Sequence, residues 1–457
     1  MPAGRCLLAA ALATTPVVAQ WGPTPATTPP LERSGALLAY DLPNTRVLLF
    51  GGNWSNEFWA LDNGAWTQLT PATLPSPRAR AALAVDTLLG NVLLYGGDDG
   101  NNRLANDETW VYDGTDWSLA TTLLSPGGLA RHSMAFDLVR QTTVLFGGRH
   151  DSWVPTQLRN ETWEFANGAW SQAFPTNVPP ARGDAAMCYQ PALGQVLMFG
   201  GHDGNDVPFD DTWAFDGTDW TQLNVTGPRP AARAGARMAQ ILTRNIAVLM
   251  GGQDSQTLQI YNDTWEHDGV NWRQVNGTYG GVYPARAEFG MTHDLVRDRL
   301  VLFGGRIANN GLRNDVWEYG AQFQPFGSGC VGSNGVPTLT AGNPPQLGQT
   351  TTAVLSNLDL SSGVALMAVG LSRQQWALGP LPALLSGYGM PGCRVYTSCD
   401  AFTAIPSSGG TATWSWNVPT WPGFLGEAFH LQGLSLDPGA NAAGAVVSNA
   451  ATIVLGT

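Results

Sequence analysis

The chain has no lysine: all 23 of its basic residues are arginine, and the formal charge is −12 over 457 residues. Without a basic surface there is nothing to neutralise a phosphate backbone, so nucleic acid is excluded as the natural partner. Charged residues of both signs make up only 13%, about half the usual share, while glycine, proline and tryptophan are abundant. This composition favours turn-rich β structure and excludes a disordered or helical chain. No apolar run reaches the ~18 residues of a transmembrane helix. No G-x-x-x-x-G-K-[ST] run exists and no lysine is available to serve one, which removes a phosphate-binding P-loop. A G-x-S-x-G nucleophile elbow is also missing.

The first nineteen residues read as a secretory signal, with Arg5 for charge, an apolar stretch from Cys6 to Ala13 and a small-residue pattern at Val17-Val18-Ala19. Export followed by release before Gln20 is the expectation. Four cysteines then remain, Cys188, Cys330, Cys393 and Cys399. Their spacing is not that of a zinc site, and no metal or other cofactor is expected. An oxidising compartment permits disulfides, and the pairing expected is Cys330 with Cys393.

What is present is a repeat. Gly-Gly pairs begin at Gly51, Gly96, Gly147, Gly200, Gly251 and Gly304, each after an apolar run such as RVLLF or QVLMF. A tryptophan follows at 59, 110, 163, 213, 265 and 317, and in five copies a second stands seven residues later, at 66, 117, 170, 220 and 272. A DGTDW-like turn lies between them and marks a hairpin. Upstream, an arginine stands eighteen residues before the Gly-Gly pair in five copies, Arg33, Arg78, Arg182, Arg233 and Arg286; copy three has Leu129 there. Four short strands per repeat of about fifty residues is the layout of a propeller blade, and six blades close a ring. The sixth copy lacks its second tryptophan. Trp21 stands thirty residues before Gly51, the interval that separates Trp66 from Gly96, so the N-terminal strand is expected to complete blade six; the alternative is Phe323.

These residues resemble the kelch-repeat family in the strand ending in Gly-Gly, the N-D-T-W segment, the Y-D-G turn and the second tryptophan. The resemblance implies an all-β fold, a six-bladed kelch-type β-propeller over residues 20–320. It leaves activity open, because such propellers include enzymes, adaptors and scaffolds. Within the galactose-oxidase-like branch, copper is held by Tyr and His including an adjacent Tyr-His step, which this chain lacks. The sialidase-type S-x-D-x-G-x-T-W box is also missing.

Six acids stand two residues before the first tryptophan, Glu57, Glu108, Glu161, Asp211, Asp263 and Asp315. Two-residue spacing in a strand puts each on its tryptophan's face, between blades, where a carboxylate needs a partner. The once-per-blade arginine is the expected one, a structural pairing rather than a metal site.

Loops on a rigid scaffold carry ligand contacts, and those after the Gly-Gly pairs gather on one face of the disc. Their candidate ligand-binding residues are Arg149, His150, Asp151, Trp153, His202, Asp203, Asp98, Asp99, Asp254 and Arg306. Polar groups with an exposed aromatic suit a sugar or a peptide, although Asp98, Asp99, Asp203 and Asp254 also read as turn formers.

Residues 321–457 lose charge and carry alternating stretches such as TTTAVLSNL and GTATWSWNV, which read as a small antiparallel β-sandwich. With G-S-G-C, P-G-C and Q-G-L-S-L-D-P-G-A-N, this region resembles a tail domain of secreted bacterial proteins, implying an extracellular module for surface attachment or partner contact. Cys399 departs from a two-cysteine pattern and leaves the partner of Cys393 open. The expected function is a secreted, non-catalytic binding or scaffold protein whose propeller face engages a carbohydrate, peptide or protein. The alternatives are a metal-dependent extracellular oxidase or hydrolase using His150 and His202, and a structural cell-envelope component.

Overall fold

The computed structural model describes residues 20–455 except 25, 63, 101–104, 151–156, 276–283, 321, 343–344, 346–347, 373–374, 378 and 421–427. The expected signal segment, residues 1–19, and Asp151 and Trp153 therefore lie outside the described residues. One compact unit is Trp21–Gly320; the other takes in Ala321–Thr457.

The first unit is six four-stranded antiparallel sheets. Blade one runs Leu37–Asp41, Arg46–Phe50, Phe58–Asp62 and Ala65–Gln68, and blades two to five repeat the order. The first strand of each blade contacts the first strands of its neighbours, so these six line the axis. Blade six takes three strands, Gly290–Asp294, Arg299–Phe303 and Val316–Gly320, from its own repeat; its fourth is Gln20–Thr24. Trp21 is 1% exposed and packs on Tyr319, ring centroids 5.3 Å apart. Phe323 pairs in register with Ile453 of the C-terminal sheet instead. The N-terminal strand is thus the clasp of the ring, and apolar packing between consecutive blades supplies its core.

The interblade tryptophans obey one rule. The second tryptophan of a blade donates its indole N–H to the threonine before the first tryptophan of the preceding blade: Trp170 to Thr109 (2.9 Å), Trp220 to Thr162 (2.9 Å), Trp272 to Thr212 (3.0 Å) and Trp21 to Thr264 (2.8 Å). Blades one and six carry Phe58 and Val316 at that position. The two indoles that would reach them, Trp117 and Trp66, are buried with no acceptor among the described residues.

The arginines and acids form a second repeated device. Arg33 reaches Glu57 and Arg78 reaches Glu108 at 2.5 Å; Arg182, Arg233 and Arg286 grip Asp211, Asp263 and Asp315 with two guanidinium nitrogens each. Each also donates to the carbonyl of the first Gly of its Gly-Gly pair, 2.8–3.1 Å away, and every acid accepts its tryptophan's indole N–H. In blade three, where Leu129 replaces the arginine, Glu161 pairs with Arg159 instead. The Gly-Gly pair has a steric reason: Gly147 and Gly200 have φ of 71° and 65°, and a Cβ on either would lie 2.5 Å from the carbonyl oxygen of Arg182 or Arg233 in the next blade.

The second unit is built on one antiparallel sheet of eight strands, curled so that its two halves face each other and it is nearly closed, the edge strand Thr338–Ala341 coming back against Ala445–Val454. Strand Ala401–Ser408 joins the halves, pairing with Val364–Gly370 along most of its length and with Thr411–Asn417 at its end. Leu339, Leu355 and Trp414 of one half meet Met367, Leu431 and Ile453 of the other. Cys330 and Cys393 are bonded, Cys188 is buried as a free thiol, and Cys399 is free and half-buried. Among the described residues no helix is long and apolar enough to cross a membrane.

Candidate functional site at the mouth of the axial channel

Two rings of residues surround the channel on the long-loop face. The inner ring is the residue two beyond each once-per-blade arginine position: Gly35, Arg80, Arg131, Asp184, Gly235 and Glu288. All six have positive φ, from 53° to 68°. Four are not glycine, and non-glycine residues held there are strained, as happens at functional sites. Backbone hydrogen bonds tie the ring together from blade to blade, from Arg131 N–H to the Arg80 carbonyl (2.8 Å) round to Gly35 N–H and the Glu288 carbonyl (2.7 Å).

The outer ring is the residue after each Gly-Gly pair: Asn53, Asp98, Arg149, His202, Gln253 and Arg306. In blades two to six it bridges to the residue just before the inner-ring position, as Asp98 does with Ala79 and His202 with Gly183.

Facing members pair by charge in three blades. Arg80 meets Asp98 at 3.2 Å, Asp184 meets His202 at 3.3 Å, and Glu288 meets Arg306 at 3.3 Å, with Arg306 also on Gln253 at 2.6 Å. Blade three breaks the pattern by facing Arg131 with Arg149. Arg131 turns to Asp184 of the next blade. Arg149 is 7% exposed, its Nε has no partner among the described residues, and none of their carboxylates pairs with it. Burial and then the charges of Arg131 and Arg80 push its pKa down. Arg237 on the first strand of blade five lines the same mouth, and burial lowers its pKa against the pull of Asp184 and Glu288. Among the described residues of the two rings and Arg237, five guanidinium groups thus face three carboxylates, in a chain whose overall charge is −12.

His202 adds to this surplus. Its Nδ1 lies 2.7 Å from the Asp203 carbonyl oxygen and 3.4 Å from an Asp206 carboxylate oxygen, and its Nε2 faces Asp184. Both nitrogens face acceptors, an arrangement that favours the doubly protonated, charged ring. Burial opposes that charge, but the hydrogen bond and charge of Asp184 overcome it and raise the pKa. Asp184 is held far below the carboxylate range, Arg131 and His202 outweighing its burial. His132, packed between blades two and three against Tyr95 with ring centroids 5.6 Å apart, is the opposite case: burial pushes it down to about 3, and it stays neutral.

The mouth opens on a cavity of about 120 Å³, and a second of about 100 Å³ lies towards the other face. Leu38, Leu83, Met134, Met187, Met238 and Met291, one per blade, line both, forming an apolar belt that narrows the axis between them.

Four of the sequence candidates, Asp98, Arg149, His202 and Arg306, converge here. The others do not. Asp203 and Asp254 each accept backbone N–H groups two to four residues on and close their own turns, Asp99 lies half-buried outside both rings, and His150 turns its Nδ1 to the Gly128 carbonyl (2.8 Å). Among the described residues no group of three or more His, Cys, Asp or Glu is arranged for a metal ion. Sequence reasoning missed Arg80, Arg131, Asp184, Arg237 and Glu288. The signal for the first three and Glu288 was the repeat register, since each follows the blade arginine position by two where glycine would serve the backbone.

Residues 131–326 match a family model described as the KLHDC2/KLHL20/DRC7 Kelch-repeats domain. An F-box/kelch-repeat protein of Arabidopsis thaliana is 30% identical over 137 residues, 27% of each chain. Multiple epidermal growth factor-like domains protein 8 of Rattus norvegicus is 29% identical over 149 residues, 30% of this chain and 5% of its own. The chain therefore spans about a quarter or less of the length of these relatives. Among solved structures, an exo-β-1,3-galactanase of Phanerochaete chrysosporium aligns with 96% of this chain and 100% of its own at 9% identity and a TM-score of 0.36, too distant to carry an argument. With the family model, the kelch relative and the six-bladed ring in agreement, Trp21–Gly320 is a kelch-repeat propeller.

Proposed function

We propose that the protein is a secreted, non-catalytic binding or scaffold protein whose channel mouth engages an anionic segment of a partner, such as an acidic peptide. A kelch-repeat propeller supports a protein-binding or scaffold role; the anion comes from the site. The observation that carries it is Arg149, a buried guanidinium set against Arg131 with no carboxylate of its own among the described residues. A buried charge left unpaired is costly, and a ligand carboxylate removes that cost with charge-assisted hydrogen bonds. The N-terminal apolar segment and the Cys330–Cys393 disulfide support secretion.

The test is calorimetric titration with an acetylated Asp-Glu-Asp-Glu peptide, its Asn-Gln-Asn-Gln counterpart and a neutral β-linked oligosaccharide. The acidic peptide is expected to bind with an affinity that falls with salt, and Arg149→Ala to weaken it at least tenfold. Equal binding of the two peptides, or preference for the oligosaccharide, would overturn the anionic reading; recovery of the protein only from cytoplasm would overturn secretion.

A further inference from the structure

On the face of the propeller opposite the arginine-rich mouth, each blade turns from its first strand to its second. Several of these turns share a design. Asp137 uses Oδ1 to accept Val139 N–H (3.0 Å) and Arg140 N–H (3.1 Å), and its Oδ2 receives Arg140 Nε at 2.8 Å. Asp294 does the same with Val296, Arg297 and Arg297 Nε, at 3.1, 2.9 and 2.6 Å. The arginine then reaches across the junction: the Arg140 guanidinium lies over Phe215 of blade four, 5.2 Å from the ring centre. Blade one reaches the same end with Arg46, whose Nε donates to Asp41 (2.8 Å) and whose Nη2 lies 3.2 Å from Tyr112 Oη of blade two.

Blade two has the seat without its occupant. Asp86 Oδ1 accepts Leu88 N–H (2.9 Å) and Leu89 N–H (3.1 Å), so the turn is built in the same way. Leu89 stands in the register of Arg140 and Arg297, and no arginine pairs with Asp86 among the described residues. Phe165 of blade three takes the register of Tyr112 and Phe215, each paired across its hairpin with the second tryptophan of its blade. Val111 replaces the Glu164 that also holds Arg140, so the seat keeps one carboxylate and one aromatic face. A cleft of about 430 Å³ lies there, lined by Asp86, Leu89, Asn91, Val111 and Phe165 among others, and Leu88 and Leu89 are 57% and 72% exposed at its rim.

We propose that this cleft between blades two and three is a docking site for an arginine side chain of a partner protein, its guanidinium taking the place on Asp86 and Phe165 that the chain's own arginines fill at other junctions. The chemistry is a carboxylate for the fork and a ring face for cation–π contact. The exposed leucines favour apolar neighbours to that arginine. Charge complementarity supports the assignment: the chain is acidic overall, and this is the turn of the series whose aspartate lacks a cation.

The test uses an acetylated Leu-Arg-Leu amide and the same peptide with citrulline, which keeps the shape and removes the charge. Both are titrated into the full chain at 150 mM salt and followed by ligand-observed NMR. The arginine peptide is expected to bind saturably and the citrulline peptide roughly tenfold more weakly. Asp86→Asn and Phe165→Leu, which keep the packing, are expected to weaken the arginine peptide by a similar factor. Leu89→Arg places the chain's own guanidinium in the seat and is expected to abolish binding while raising the melting temperature. Equal affinity for the two peptides, no saturation at millimolar peptide, or undiminished binding by a folded Leu89→Arg variant would overturn the proposal.

Discussion

Val316→Thr and Thr212→Val are inverse substitutions at one repeat position, and the indole rule gives them opposite signs. Thr212 Oγ1 accepts the Trp272 N–H at 3.0 Å inside a buried interface. Replacing it by valine keeps the volume and strands the donor, at a cost of about 1–3 kcal/mol for an unsatisfied buried group. At Val316 the Trp66 N–H is already stranded. Thr162, Thr212 and Val316 lie opposite Phe146, Phe199 and Phe303 in their sheets, so a threonine at 316 meets the surroundings it meets in blades three and four. Val316→Thr is therefore expected to stabilise the propeller by about 0.5–1.5 kcal/mol, the net worth of one hydrogen bond. Phe58 offers no equivalent test, since it packs on Tyr112 and Trp117 with centroids 5.0 and 5.5 Å away, and its removal would open a cavity. Urea unfolding gives the stabilities, and indole ¹H–¹⁵N spectra with hydrogen exchange report each N–H directly. In the parent, Trp66 and Trp117 should exchange their indole protons as a pair apart from the four bonded tryptophans. A neutral Thr212→Val together with a destabilising Val316→Thr would refute the reasoning.

His202 should titrate above the ordinary value of about 6.5, because Asp184 favours its charged form. Its contribution to stability is fully present below about pH 6.5 and is lost as pH rises through the folded value. Binding of the acidic peptide should weaken over the same rise, and His202→Gln should flatten that profile; histidine NMR titration checks the first expectation and calorimetry at several pH values the second. Reduction of the Cys330–Cys393 disulfide, which joins residues 63 apart, should destabilise the C-terminal unit by about 4 kcal/mol on the chain-entropy account. Calorimetric scans with and without reductant should move one transition and leave the propeller transition in place, since the only propeller cysteine is a buried free thiol.

The fold was legible because a blade cannot bury its faces alone, and the residues that solve that problem recur at fixed offsets. Gly-Gly, the tryptophan pair and the arginine eighteen residues upstream are all answers to interblade packing. Even the clasp could be read, since Trp21 preserves the interval of the other blades. The site was only half legible. Asp98, Arg149, His202 and Arg306 were found as polar loop residues after Gly-Gly, but Arg80, Arg131, Asp184 and Glu288 sit beside the structural arginine and read as part of it. Their role comes from αL backbone geometry, which turns one residue per blade into a ring bonded from blade to blade. Asp203 and Asp254, which the sequence also reads as turn formers, close their own turns, and His150 turns to the Gly128 carbonyl; residue type is shared by turn formers and ligand contacts, and only the geometry separates them.

Departures from the repeat carry more functional information than the repeat itself. The repeated features state what every blade needs, so a position that abandons one has been released from that need or serves another. At 58 and 316 the loss leaves two buried donors unpaired, a cost to stability that the other four junctions avoid. At 89 the loss of an arginine opens a cleft whose aspartate and ring are still in place. Blade three departs twice: Leu129 gives up the staple, with Arg159 taking over Glu161, and Arg149 faces Arg131 where three other blades oppose unlike charges. The first change is compensated within the chain and the second is not among the described residues. An uncompensated buried cation at the mouth of a channel lowers stability unless a ligand neutralises it, so the same residue that weakens the empty propeller is the one a bound anion would reward most. Arg149→Ala should therefore separate the two quantities, with affinity for the acidic peptide falling while the stability of the unliganded protein holds or rises.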